Sequence, residues 1–245
     1  MNELLALAIE AHGGLHRWEA IRSIEADLSI GGVLWDLKRL PGIFRDKTVV
    51  ADTRRQHLAL HPFEEGRLVF TPERVWTEDA AGRTLEHRDQ PASAFERHTQ
   101  ATPWDALHAG YFNGRALWTY LTQPFLYAAP GFEVEEIEPW EEDGEVWRSL
   151  RVTFPDSISS HTRTQITRFG PDGLIRRHDY TVDLLGGAAG VNYASGYRKV
   201  DGITMPTVRR VYPCDAEGRR VPEPLLVSID IHAVRINRSE EAARS

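Results

Sequence analysis

Five consecutive residues, Arg176-Arg177-His178-Asp179-Tyr180, place two guanidinium groups, an imidazole, a carboxylate and a phenol in one strand-length run. An imidazole titrates near neutral pH and serves acid–base chemistry. A guanidinium holds a carboxylate or another acid group. Strand period two puts Leu174, Arg176, His178, Tyr180, Val182 and Leu184 on one face. Ile175, Arg177, Asp179, Thr181 and Asp183 take the other. The candidate catalytic trio is therefore Arg176, His178 and Tyr180, on an otherwise apolar face. Arg176 would hold an acid group, His178 would move a proton and Tyr180 would donate a hydrogen bond. His178 and Asp179 point to opposite faces and do not form a ready acid–base dyad. The competing reading is a solvated strand face with its side chains satisfied.

Other chemical motifs are weak. His161 follows Ser157-Ile158-Ser159-Ser160, but no GxSxG elbow supports a Ser–His pair, and a serine-rich loop is expected. The pairs His12/His16 and His57/His61 lack helical or strand geometry for a metal, and no HExxH or cysteine spacing occurs, so no metal site is expected. Gly186-Gly187 belongs to no GxGxxG, which argues against a nucleotide loop, and no cofactor is expected. The basic pairs Arg176-Arg177 and Arg209-Arg210 are read as partners of nearby carboxylates. Cys214 is the single cysteine, which excludes an intrachain disulfide, and it is read as inert.

Charge narrows the partners. The 245 residues carry 29 Lys and Arg against 36 Asp and Glu, a net charge of −7. Nucleic acid and anionic membrane surfaces usually need the opposite sign. No run approaches the roughly 18 apolar residues of a membrane span. The start, MNELLALAIEAHGG, has an acidic residue and no basic n-region, so it reads as a short amphipathic helix rather than a signal peptide, and a cytoplasmic protein is expected. With 41% hydrophobic and 27% charged residues the chain can bury a sizeable core, and residues 1–245 are read as one domain.

Strands dominate the elements that must position these groups. Helical spacing covers 3–11, ended by Gly13, and a short turn follows at LHRWEAI. Ile24, Ala26, Leu28 and Ile30 then alternate with Ser23, Glu25, Asp27 and Ser29. VLWDLKRL after Gly31-Gly32 reads as a hairpin partner, with Val33, Trp35 and Leu37 on one face. Further strand candidates lie in 43–53, 55–63, 67–71 and 74–79. Residues 91–100 suggest a short helix and 102–123 a longer one, with Thr102 as N-cap, Pro103 in the first turn, Gly114 as a possible kink and Pro124 as the stop. Seven strand candidates follow, the cleanest being LLVSIDIHAVRIN, where Leu225, Val227, Ile229, Ile231 and Ala233 alternate. The tail SEEAARS is polar and expected to fray.

The fold class is α+β: a large curved antiparallel sheet of about eleven strands, with the helical plug at 91–123 covering its concave face. Trp104, Tyr111, Phe112, Trp118 and Tyr120 lie on the apolar side of that plug. Such aromatics either fill a core or ring an apolar crevice. The segments AHGG..RW..IRSIEADLSIGG and GLIRRHDYTVDLLGG…Y….DGI.MPT.RRVYP, with the order sheet, helices, sheet, resemble the bacterial lipoprotein-carrier superfamily, the LolA/LolB-like fold. The resemblance covers most of the chain in layout and implies an incomplete β-barrel closed by helices, with a cavity for acyl chains. The periplasmic carriers have an export signal, and the start of this sequence is not expected to act as one. The expected function is binding of a hydrophobic small molecule or lipid between sheet and helices, lined by Trp35, Trp104, Tyr111, Phe112, Trp118, His178, Tyr180 and Tyr193. The alternative is an enzyme acting on such a molecule through the patch around His178.

Overall fold

A computed structural model describes residues 1–238; the tail at 239–245, expected to fray, lies outside the described residues. Thirteen antiparallel strands form one sheet. In chain order they are β1 (Ile21–Gly31), β2 (Lys47–Asp52), β3 (Leu58–Phe63), β4 (Gly66–Phe70), β5 (Arg74–Asp79), β6 (Thr84–Asp89), β7 (Glu133–Glu142), β8 (Glu145–Thr153), β9 (Thr164–Phe169), β10 (Ile175–Val182), β11 (Ala188–Val200), β12 (Ile203–Tyr212) and β13 (Val227–Arg238). The first six form one meander and the last seven another; β1 and β13 join them, leaving β6 and β7 as the two edges. The helices are α1 (Glu3–Ala11), α2 (Leu15–Glu19), α3 (Val33–Leu37) and α4 (Ala106–Thr122).

The sheet wraps around α4. From this one helix Gly110 lies against Leu68 of β4, the Trp118 indole donates to the Asp52 carbonyl of β2, and Tyr120 bonds Tyr180 of β10. A flat sheet could not offer all three strands to one helix. Gly110 and Gly114 allow the close approach. A Cβ at Gly110 would stand 2.6 Å from Leu68 Cδ1, and one at Gly114 would run into the Phe70 ring. Gly114 therefore does not kink α4, which is unbroken from Ala106 to Thr122; its hydrogen atom makes room for β4.

Several expectations change here. The described residues form thirteen strands, not about eleven. Strand β6 carried no alternation to read, because as an edge it is exposed on both faces. VLWDLKRL is not a strand. The amides of Val33 and Leu34 donate to the carbonyls of Leu225 and Leu226, which seats α3 as a short helix and turns Leu34 and Trp35 inward. The helix after residue 102 starts three residues late. Lys38 Nζ donates to the carbonyls of Thr99, Gln100 and Thr102, so those carbonyls stay in a loop, and Asp105 caps α4 by accepting from the His108 amide. Residues 91–95 form a 3₁₀ turn. In β13 a register shift opposite Asp27 and Leu28 interrupts the alternation, and Val234 and Ile236, rather than Ala233, continue the row packed against the core.

Candidate functional site

A second bulge decides what the polar run on β10 can do. Ile175 pairs with Phe169, and the next register pair is Arg177 with Arg168. Arg176 is the extra residue, and the parity of the strand changes across it. Ile175, His178, Tyr180 and Val182 face the helix side and are buried, while Arg177 and Asp179 face the back of the sheet. Arg176 leaves the trio. It reaches out to Glu145 and Asp172, at 3.2 and 3.0 Å.

The back-face residues make their own cluster. Arg177, 0% exposed in its side chain, binds Asp179 at 2.6 Å and Glu142 at 2.7 Å. Arg168 also binds Asp179, and the Arg168 and Arg177 guanidinium groups both lie over the Trp140 ring, at 4.3 and 4.9 Å from its centre. Tyr193, opposite Arg177 on β11, bonds Glu142 here and does not face the helix side. Burial alone would raise Glu142, but hydrogen bonds from Tyr193 and Trp140 and the Arg177 charge hold its carboxyl below the usual range.

On the helix side an apolar crevice opens between α3, α4 and the strands β10 to β13. The crevice measures about 70 Å³ and is partly open to solvent. Leu34, Trp35, Phe112, Val182, Leu226 and Ile229 supply much of the wall, and Gly190 and Ala188 keep the β11 side low. At the inner end stand His161, Asn113, Tyr120 and Tyr180, the two phenols joined at 2.7 Å. Of the eight residues expected to line a ligand, Trp35, Phe112 and Tyr180 border this crevice. His178 is buried behind Tyr180, with ring centroids 5.1 Å apart. Trp104 packs on Phe95 and Phe112 and under Lys38; Tyr111 packs on Phe70 and bonds Ser159 Oγ. Trp118 borders a different groove with Trp18 and Phe125. His161, which the serine-rich sequence set aside, is the residue the sequence undervalued. Its ring stacks near Phe112 and Tyr180, and Arg115 approaches its Nδ1 at 3.4 Å. No local signal marks it, since its neighbours come from α4 and β10.

Behind the phenols runs a chain of buried polar groups. Gln123 Nε2 meets His178 Nδ1 at 3.1 Å and Tyr127 Oη at 2.5 Å, and Tyr127 Oη meets Thr167 Oγ1 at 2.7 Å. Arg209 lies over the Tyr120 ring at 4.6 Å and donates to the Tyr120 carbonyl and to Gln123 Oε1, both at 3.2 Å. Burial pushes the phenols of Tyr120 and Tyr180 up. Among the described residues no group of three or more His, Cys, Asp or Glu side chains is set to hold a metal ion.

Three buried imidazoles are held neutral. Burial, then Arg115 and His178, push His161 well below 6.5; burial and Arg209 do the same to His178. Burial brings His12 down to about 4. The native state refuses protons that the unfolded chain accepts, so stability is full above about pH 6.5 and falls as the pH drops towards 4. Each imidazole contributes up to about 1.4 kcal/mol per pH unit in that window. Urea melts at pH 7.5 and 5.0 are expected to show a clear loss at the lower pH; equal midpoints would contradict it.

No family model matches the chain, and no curated protein matches it. Solved structures do. A LolA superfamily protein from Nitrosomonas europaea is similar with a TM-score of 0.53 at 9% identity, over 99% of this chain and 96% of that one. A DUF1329 family protein from Desulfovibrio piger is similar with a TM-score of 0.49 at 14% identity, over 95% of this chain and 91% of that one. No helix of the described residues is long and apolar enough to cross a membrane. The open sheet wrapped on α4 and the structural likeness over nearly the whole chain agree: this chain has a LolA-like fold.

Proposed function

We propose that the protein binds a hydrophobic small molecule or lipid segment in the crevice between the curved sheet and α4. The observation that carries this is the apolar recess itself, partly open to solvent and walled by Leu34, Trp35, Phe112, Val182, Leu226 and Ile229. An apolar pocket with a few convergent polar groups is the usual form of a small-molecule site. The acyl-chain cavity implied by the sequence resemblance supports the same reading. The alternative, an enzyme using His178, has less support: Arg176 points away, and His178 lies sealed behind the Tyr120–Tyr180 pair.

Ala188 faces inward opposite Val182 and lines the crevice. Ala188→Phe should fill the recess and weaken binding of 1-decanol about tenfold or more, the scale of overpacking a filled site, with little change in thermal stability. Isothermal titration calorimetry checks it. Wild-type protein that takes up no 1-decanol, or a variant that binds as well as wild type, contradicts the reading.

A further inference from the structure

Buried polar atoms in folded proteins are almost always paired. Four that are not lie together here: Arg209 Nη1, His178 Nε2, and Asn192 Nδ2 and Oδ1. They belong to neighbouring strands and one face. His178 is directly opposite Asn192, and Arg209 is opposite Ala194, two residues further along β11. Facing residues and their diagonals are within reach of one another across a sheet.

Hydrogen-bond logic assigns the protons. Arg209 can only donate, so the Gln123 atom it meets at 3.2 Å is the carbonyl oxygen Oε1. Gln123 Nε2 therefore donates to His178 Nδ1. The neutral His178 carries its proton on Nε2, the atom without a partner. The free positions on His178 and Arg209 are thus both N–H donors, and the Asn192 amide adds a third.

The charge is also unbalanced. Arg209 is 2% exposed, and among the described residues no carboxylate lies within 4.0 Å of it. A buried cation without a partner is strongly unfavourable. The Asn192 amide lies within reach of the Tyr120 and Tyr180 hydroxyls, so this cluster sits directly behind the two phenols that line the crevice.

We propose that Arg209, His178 and Asn192, with the paired phenols of Tyr120 and Tyr180, form an internal site for a carboxylate headgroup, and that the ligand is an amphipathic acid whose apolar tail runs out along the crevice. This rests on the crevice reading above and names its ligand class. Two carboxylate oxygens accept from the three free donors and neutralise Arg209. The phenol pair separates to admit the head, and both hydroxyls turn to donate to it.

Decanoate and 1-decanol share a tail and differ in the head, which makes them a direct test by isothermal titration calorimetry at pH 8. Wild-type protein is expected to bind decanoate at least about tenfold tighter, the scale of a charged hydrogen bond. Arg209→Met, which keeps length and removes charge, should bring the two affinities together through loss of the acid alone. Equal affinities in the wild type would overturn the head site while leaving the crevice in place, as expected if water alone fills the free positions. A decanoate preference that survives Arg209→Met would overturn the assignment to Arg209. Failure of both ligands to bind wild-type protein would overturn the crevice itself. The wild-type comparison stands even if the variant does not fold.

Discussion

Arg177→Met is expected to lower stability by about 3 kcal/mol or more, the cost of leaving buried charges without their partner. For a chain of this size that is a fall of roughly 10 °C in melting temperature. The reason is geometric. The Arg177 guanidinium is held by Asp179 and Glu142, and its Nη2 also reaches the Gly218 carbonyl, so one side chain ties β7, β10 and the loop at 213–221 to the back of the sheet. Methionine fills the space of the stem and strands Glu142, whose side chain is 14% exposed. Adding Glu142→Gln should restore part of the loss, because the stranded carboxylate is then gone. Thermal melts of the single and double variants check both statements; a single variant within 2 °C or so of wild type would contradict the first. Affinity for 1-decanol should not change, since Arg177 and the crevice lie on opposite faces of the sheet.

Trp118→Ala should cost about 3 to 5 kcal/mol, the usual range for a large buried aromatic. Trp118 is buried between α4 and the end of β2, where its indole Nε1 donates to the Asp52 carbonyl at 2.8 Å. Truncation removes the packing and leaves that carbonyl without its donor. Trp118→Phe keeps most of the volume and should lose only about 1 to 2 kcal/mol, chiefly through the hydrogen bond. Because Trp118 does not border the crevice, the phenylalanine variant should bind 1-decanol as wild type does. Urea denaturation and calorimetry together separate the two roles. A phenylalanine variant that keeps its stability and loses the ligand would place Trp118 in the binding site instead.

Much of the fold was legible because half-buried strands leave a period-two trace. In β1 the row Ile24, Ala26, Leu28 and Ile30 is buried as the alternation requires. The trace fails where no face is buried, as in β6, and where a tertiary contact outweighs a local pattern, as when α3 docks on the carbonyls of Leu225 and Leu226. It also fails at bulges. One inserted residue at Arg176 is invisible to a count of alternating types, and it moved Ile175 to the face of His178 and Tyr180 and turned Arg176 to its ion pairs with Glu145 and Asp172.

The same limit applies to the site. His178 and Tyr180 share a face by strand parity alone, and Asp179 takes the other; both statements follow from sequence and hold in the structure. Aromatic residues were rightly expected around α4, but spacing along a helix cannot say which of them meet a neighbour and which border empty space. Tyr111 is packed against Phe70, whereas Phe112 and Trp118 border two separate recesses.

The amino-acid sequence by itself determined an antiparallel sheet around a central aromatic helix, because periodicity and turn residues are local properties. Only the tertiary structure decided that Arg209, read from sequence as half of a basic pair balancing carboxylates, has none beside it within the described residues. It also decided that the free donors of Arg209, His178 and Asn192 gather behind two phenols at the end of an apolar crevice. Those groups come from β10, β11, β12 and α4, and their meeting depends on strand register and on how tightly the sheet curls around the helix, which no short stretch of sequence encodes.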